Sequence, residues 1–252
     1  MPTILHPRSA SFAKWIAAIV LLAGAPVLRA DSVFLYGYTG TSGNLAFDAL
    51  AQFTLLNNQI QIAIWNLQPD TKTVGNTISA IDFVLSGQQN SGAIIGRSGM
   101  EASLAAGSDI TPTIAAGGTT AFTNDPYPDW QLTASSYYTN GLQLTTLISN
   151  NTKTILGPPN PSTGVFTDVN PSIAKHNPYL YTPTLSAPVQ FVLSVPGVSA
   201  NDSVLRVSFN FGASSGTVRA GSPVTPEPAS FCLVGTGLLG ALLWRRKRSK
   251  AR

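Results

Sequence analysis

The sequence predicts an all-β fold, an antiparallel β-sandwich of the jelly-roll type or a relative of it, on three observations. Apolar and polar side chains alternate with period two around residues 51–64 and again over 189–211, the period of strands buried on one face. Gly, Pro and Asn separate these segments at turn-like intervals. Only 10% of the residues are charged, and Ser, Thr, Asn and Gln supply the polarity between apolar blocks too dense for a disordered chain.

Taken in chain order, residues 1–30 read as a secretory signal peptide. Arg8 and Lys14 form a basic start, residues 15–25 an apolar run, and Ala30 followed by Asp31 the expected cleavage site. The body then spans 31–222, long enough for one domain with its own core. Its first strand is expected over 33–38. In the next segment Phe53 and Leu55 alternate with Gln52 and Thr54, and Ile60, Ile62 and Ile64 with Gln59 and Gln61. If Asn57 and Asn58 form a two-residue turn, Leu55 faces Ile60, Phe53 faces Ile62 and Ala51 faces Ile64, so one register puts every apolar side chain on one face. Further strands are expected at 78–85, 130–133, 142–148 and 164–167. The one helix expected in the body is short: Ser98 and Glu101 fit a capping box ahead of residues 102–106. Residues 157–171, rich in proline, read as a surface crossover. Late in the body Val189, Phe191, Leu193 and Val195 form one strand face, and Leu205, Val207, Phe209 and Phe211 another after Pro196 and Gly197; these two strands are expected to pair.

The tail, 223–252, has an ordered composition. Pro226, Glu227 and Pro228 precede an apolar stretch over 229–244, and six of the last eight residues are basic. Sixteen helical residues reach about 24 Å, slightly less than the ~30 Å hydrocarbon core of a bilayer, so a single thin transmembrane helix is expected. The basic end, 245–252, belongs on the cytoplasmic side, which leaves the body across the membrane, as the signal peptide also requires. Pro226-Glu227-Pro228, the glycine-bearing span with Gly235, Gly237 and Gly240, and Arg245-Arg246-Lys247-Arg248 together resemble the PEP-CTERM sorting signal. That resemblance implies a Gram-negative host, recognition by an exosortase-type membrane protease as partner, transient anchoring in the inner membrane with the body in the periplasm, cleavage near Pro-Glu-Pro, and delivery to the cell surface or an exopolysaccharide matrix. The 53–67 hairpin and the His176-Asn177-Pro178 segment are similar to parts of uncharacterised secreted β domains that accompany this tail.

Charge and residue counts narrow the chemistry of the body. Nine of the fifteen basic residues lie in the two terminal segments, while residues 31–225 hold six basic against ten acidic side chains. A nucleic-acid partner is therefore not expected. The single cysteine, Cys232, lies in the tail, so no intrachain disulfide can form. His176 is the one histidine of the body, which excludes a two-histidine metal site and means that a hydrolytic triad would have to use it, the candidate set being Ser98, His176 and Asp168. Ser98 in Gly96-Arg97-Ser98-Gly99-Met100 lacks the final glycine of a nucleophile elbow.

The densest candidate for ligand binding is the segment containing Asn124, Asp125, Tyr127, Asp129 and Trp130. Its aromatic rings are suited to stacking on a sugar, and Asp125 with Asp129 to holding Ca²⁺, although no Asp-x-Asp-x-Asp-Gly pattern is present. The bland alternative is a proline-rich crossover whose Trp130 packs inward. The reading is a non-enzymatic exported surface or matrix protein without a cofactor. A carbohydrate-binding module is the alternative, ahead of a secreted hydrolase.

Overall fold

The computed structural model describes residues 32–121, 129–147, 153–212 and 217–224. The expected signal peptide at 1–30 and transmembrane span at 229–244 lie outside them. No helix among the described residues is long and apolar enough to cross a membrane. As the alternation predicts, the described chain is mostly strand.

β1 (Ser32–Ser42), β2 (Leu45–Leu56) and β3 (Gln59–Asn66) form a meander. The pairs expected from the sequence are present, with Leu55 opposite Ile60, Phe53 opposite Ile62 and Ala51 opposite Ile64. Asn58 takes the left-handed conformation that the tight turn demands, at φ 58°. Burial along β2 alternates residue by residue, sending Phe47, Ala49, Ala51, Phe53 and Leu55 inward.

The remaining strands are β4 (Ile78–Leu85), β5 (Ala93–Ser103), β6 (Thr113–Ala121), β7 (Gln131–Ala134), β8 (Leu142–Thr145), β9 (Ile155–Leu156), β10 (Tyr179–Tyr181), β11 (Val189–Ser194), β12 (Val204–Phe211), β13 (Thr217–Ala220) and β14 (Ser222–Pro223). They join into one hydrogen-bonded sheet that folds over on itself. One half runs β6-β5-β11-β3-β2-β1-β14 and the other β7-β8-β4-β12-β13, with β9 and β10 joining them at a corner. All described pairs are antiparallel except β9 with β10. The two halves face each other across one core, as aromatic contacts between them show. Phe53 of β2 lies 5.3 Å from Phe83 of β4, and Phe47 of β2 lies 4.7 Å from Phe211 of β12, between ring centroids. Tyr36 of β1 donates its hydroxyl to the Val204 carbonyl of β12 at 2.6 Å. Each phenylalanine removed from water in this way contributes about 1.5–3 kcal/mol before the entropy of ordering is counted.

Several expectations give way. Residues 93–103 are strand β5, so Ser98 does not cap a helix; its hydroxyl contacts Gln190 Oε1 on β11 at 3.4 Å. A helix of one or two turns is marginal by itself, whereas β11, β6 and β10 all supply partners for this backbone. The two late strands do not pair with each other: β11 lies between β3 and β5, and β12 between β4 and β13. Leu205 points outward, 55% exposed, because a register shift between Val204 and Arg206 interrupts the alternation.

Residues 164–167 are not a strand but make a single bridge, Phe166 to Ile110. The 157–171 segment is likewise more than a surface crossover. Phe166 and Val169 are buried with Leu104, Leu156, Ile173 and Tyr179 in a second, smaller apolar cluster. Asp70 fixes this segment by accepting from Thr167 N at 2.7 Å and Thr167 Oγ1 at 2.6 Å. A four-residue helix, α1 (Pro171–Ala174), follows. Asn170 caps it by accepting from Ser172 N at 2.9 Å, and Pro171 occupies the first turn, where its missing N–H costs nothing.

Candidate functional site

The described residues begin and end on one strand. The expected mature start, Asp31, directly precedes β1, while at the other end Ser222 and Pro223 pair with Gly37 and Tyr36 of that same strand. Val224 N donates to Leu35 O at 2.8 Å, so the backbone is held to the sheet through Val224. The cleavage residues Ala30 and Asp31 and the tail residues Pro226, Glu227, Pro228, Arg245, Arg246, Lys247 and Arg248 all lie outside the described residues.

In the expected ligand segment, Asn124, Asp125 and Tyr127 also lie outside the described residues. Trp130 is described, and it corrects the stacking reading: it is 2% exposed, its ring packs 5.1 Å from that of Phe191, and Nε1 donates to Lys153 O at 2.9 Å. Such a ring is core, unavailable to a sugar. Asp129 is engaged as well, with Oδ2 2.9 Å from Lys153 Nζ, which also lies 3.4 Å from Glu101 Oε1. An ammonium thus occupies the place a calcium ion would need beside that oxygen. Among the described residues no group of three or more His, Cys, Asp or Glu side chains is placed to hold a metal ion.

Nor does the fold assemble the Ser98, His176 and Asp168 set. Ser98 contacts Gln190, His176 Nδ1 lies 2.7 Å from Ser172 O after α1, and Asp168 accepts from Ser108 Oγ at 3.3 Å beside Lys72 Nζ at 3.6 Å. Each of the three takes part in local structure elsewhere in the domain.

A polar cluster that sequence reasoning missed lies on the outer face of the β8-β4-β12 layer. β4 reads Ile81-Asp82-Phe83, and since Ile81 and Phe83 face the core, Asp82 must face away from it. It is nevertheless fully buried. Oδ1 accepts from Ser135 Oγ at 2.5 Å, and Oδ2 accepts from Asn210 Nδ2 at 2.6 Å and Gln143 Nε2 at 3.2 Å. Beside it the Tyr138 hydroxyl is bonded to Ser208 Oγ, and burial pushes that phenol above its usual value. A lone carboxylate at the centre of an apolar strand was the available signal. What covers it is contributed from more than 50 residues away in sequence.

Comparison with known protein families yields one match: residues 224–248 fit the PEP-CTERM protein-sorting motif. No curated protein matches the chain. The matched stretch begins at Val224, the residue whose backbone closes the sheet, and contains the Pro-Glu-Pro, glycine and arginine features together. The chain carries a PEP-CTERM sorting motif and is thereby an exported protein addressed to an exosortase-type system at the membrane.

Proposed function

We propose that the protein is a non-enzymatic component of the cell surface or of an exopolysaccharide matrix, held briefly in the inner membrane by its tail with the β domain in the periplasm and then released. The supporting observation is the junction itself. The motif begins on the residue that bonds to β1, so folded cargo and sorting signal are contiguous, with no separate linker domain between them. That Ser98, His176 and Asp168 each hydrogen-bond to a partner outside the set favours this reading over a secreted hydrolase.

The test is intact-mass spectrometry of protein recovered separately from membrane and extracellular fractions of the producing cells. A species starting near Asp31 and ending near Pro226 in the extracellular fraction is expected. Recovery only from membranes, with Arg252 retained, refutes release and makes the tail a permanent anchor.

A further inference from the structure

The connection between β7 and β8 is short but heavily fixed. Ser135 Oγ is its hub, donating to buried Asp82 and accepting from Tyr137 N at 3.1 Å and Tyr138 N at 2.9 Å. Ser135 N donates to Gly141 O at 2.9 Å and closes the loop. Tyr138 is anchored through its hydroxyl to Ser208. A carboxylate shut away from water is costly unless several donors satisfy it, and an ordinary surface turn needs no such foundation.

What this foundation holds in place is an aromatic surface. Tyr137 is 51% exposed, and its ring meets that of Tyr138 edge-on at 4.7 Å between centroids. With Val84, Thr139, Leu205 and Arg206 the two tyrosines line a depression of about 390 Å³, within the ~300–1,000 Å³ range of small-ligand sites. Arg206 is exposed and forms no ion pair with the described residues. A smaller depression of about 120 Å³ lies on the outer face of the opposite layer, lined by Gln52, Gln61 and Gln190 among others.

We propose that the Tyr137–Arg206 depression is a saccharide-binding site. The face of a pyranose ring is apolar C–H and its rim is oxygen, a combination that a tyrosine ring beside a guanidinium matches. Tyr137 supplies the stacking surface, and Arg206 donates to hydroxyl or carboxylate oxygens at the sugar's edge. Because Tyr137 projects from a backbone already fixed by Ser135, little ordering entropy is lost on binding. The inference rests on the matrix reading above and gives it a location on the domain.

The experiment uses mature protein recovered from producing cells, titrated calorimetrically with oligosaccharides made by partial hydrolysis of the exopolysaccharide of those cells. Tyr137→Ala and Arg206→Ala are each expected to raise Kd at least ten-fold while leaving the thermal unfolding curve unchanged, since both side chains are exposed. Gln190→Ala, on the opposite layer, is expected to bind as wild type does. If wild-type protein binds and either Tyr137→Ala or Arg206→Ala stays within two-fold of it, the site is wrong and the matrix reading stands. If wild-type protein does not bind, the matrix reading fails and the site falls with it.

Discussion

Truncating Trp130 to alanine removes a side chain that is 2% exposed and lies against Phe191 at 5.1 Å, and it removes the hydrogen bond from Nε1 to the Lys153 carbonyl at 2.9 Å. A cavity of this kind in a packed core costs about 3–5 kcal/mol, of which the lost hydrogen bond is about 1 kcal/mol. For a domain near 200 residues each kcal/mol lowers Tm by about 2–4 °C, so a loss of about 4 kcal/mol predicts a drop of about 8–16 °C. Trp130→Phe keeps a six-membered ring but loses the pyrrole portion with its donor, leaves a smaller cavity, and is expected to cost about 2 kcal/mol, less than the alanine change. Thermal and urea unfolding followed by far-ultraviolet circular dichroism measures both. At temperatures below the lowered transition, Trp130→Ala is expected to keep wild-type saccharide binding. A variant that unfolds within about 1 °C of wild type yet loses binding refutes the assignment of Trp130 to the core and restores it as a contact surface.

Asn58 and Tyr179 give two further predictions. Asn58 sits at φ 58° and its Oδ1 accepts from Gly197 N at 2.9 Å, so alanine and glycine variants both lose that bond but only alanine bears the left-handed strain. Asn58→Ala is expected to be about 1 kcal/mol less stable than Asn58→Gly in urea melts, and equal stability refutes the turn geometry. Tyr179, whose hydroxyl donates to Ile173 O at 2.7 Å, has its phenol raised above the ordinary value of 10.0 by burial. The folded state therefore keeps a proton that the unfolded chain releases. The resulting stability is complete below pH 10 and is lost progressively as pH rises through the folded-state value. Tyr179→Phe is expected to flatten the decline of unfolding free energy between about pH 10 and 11, and an unchanged slope removes Tyr179 as its source.

Features written in local order were legible in the sequence. The period-two pattern of 51–64 contains its own register, because only one pairing puts Phe53, Leu55, Ile60 and Ile62 on one face, and Asn57-Asn58 can make the turn that pairing needs. The inward sets of β11 and of β12 beyond its bulge follow from the same alternation, and the bounds of β4 match the apolar segment 78–85 between turn residues. The sorting motif was equally legible, being a linear order of residue types within residues 224–248. Tertiary structure decided whatever depended on distant partners. The capping pattern at Ser98 lost to three strands that bond the same backbone, Leu205 was turned outward by a bulge, and Phe166 was drawn into a second cluster by contacts with β9, β10 and α1. Asp82 and Trp130 show the same division most directly. One is a carboxylate on an outward face and the other an aromatic beside a proline-rich segment, for which the sequence left open both inward packing and an exposed stacking surface. Both are buried, because a chain segment remote in sequence closes over each, and side-chain alternation records which face a residue takes but not what will cover that face.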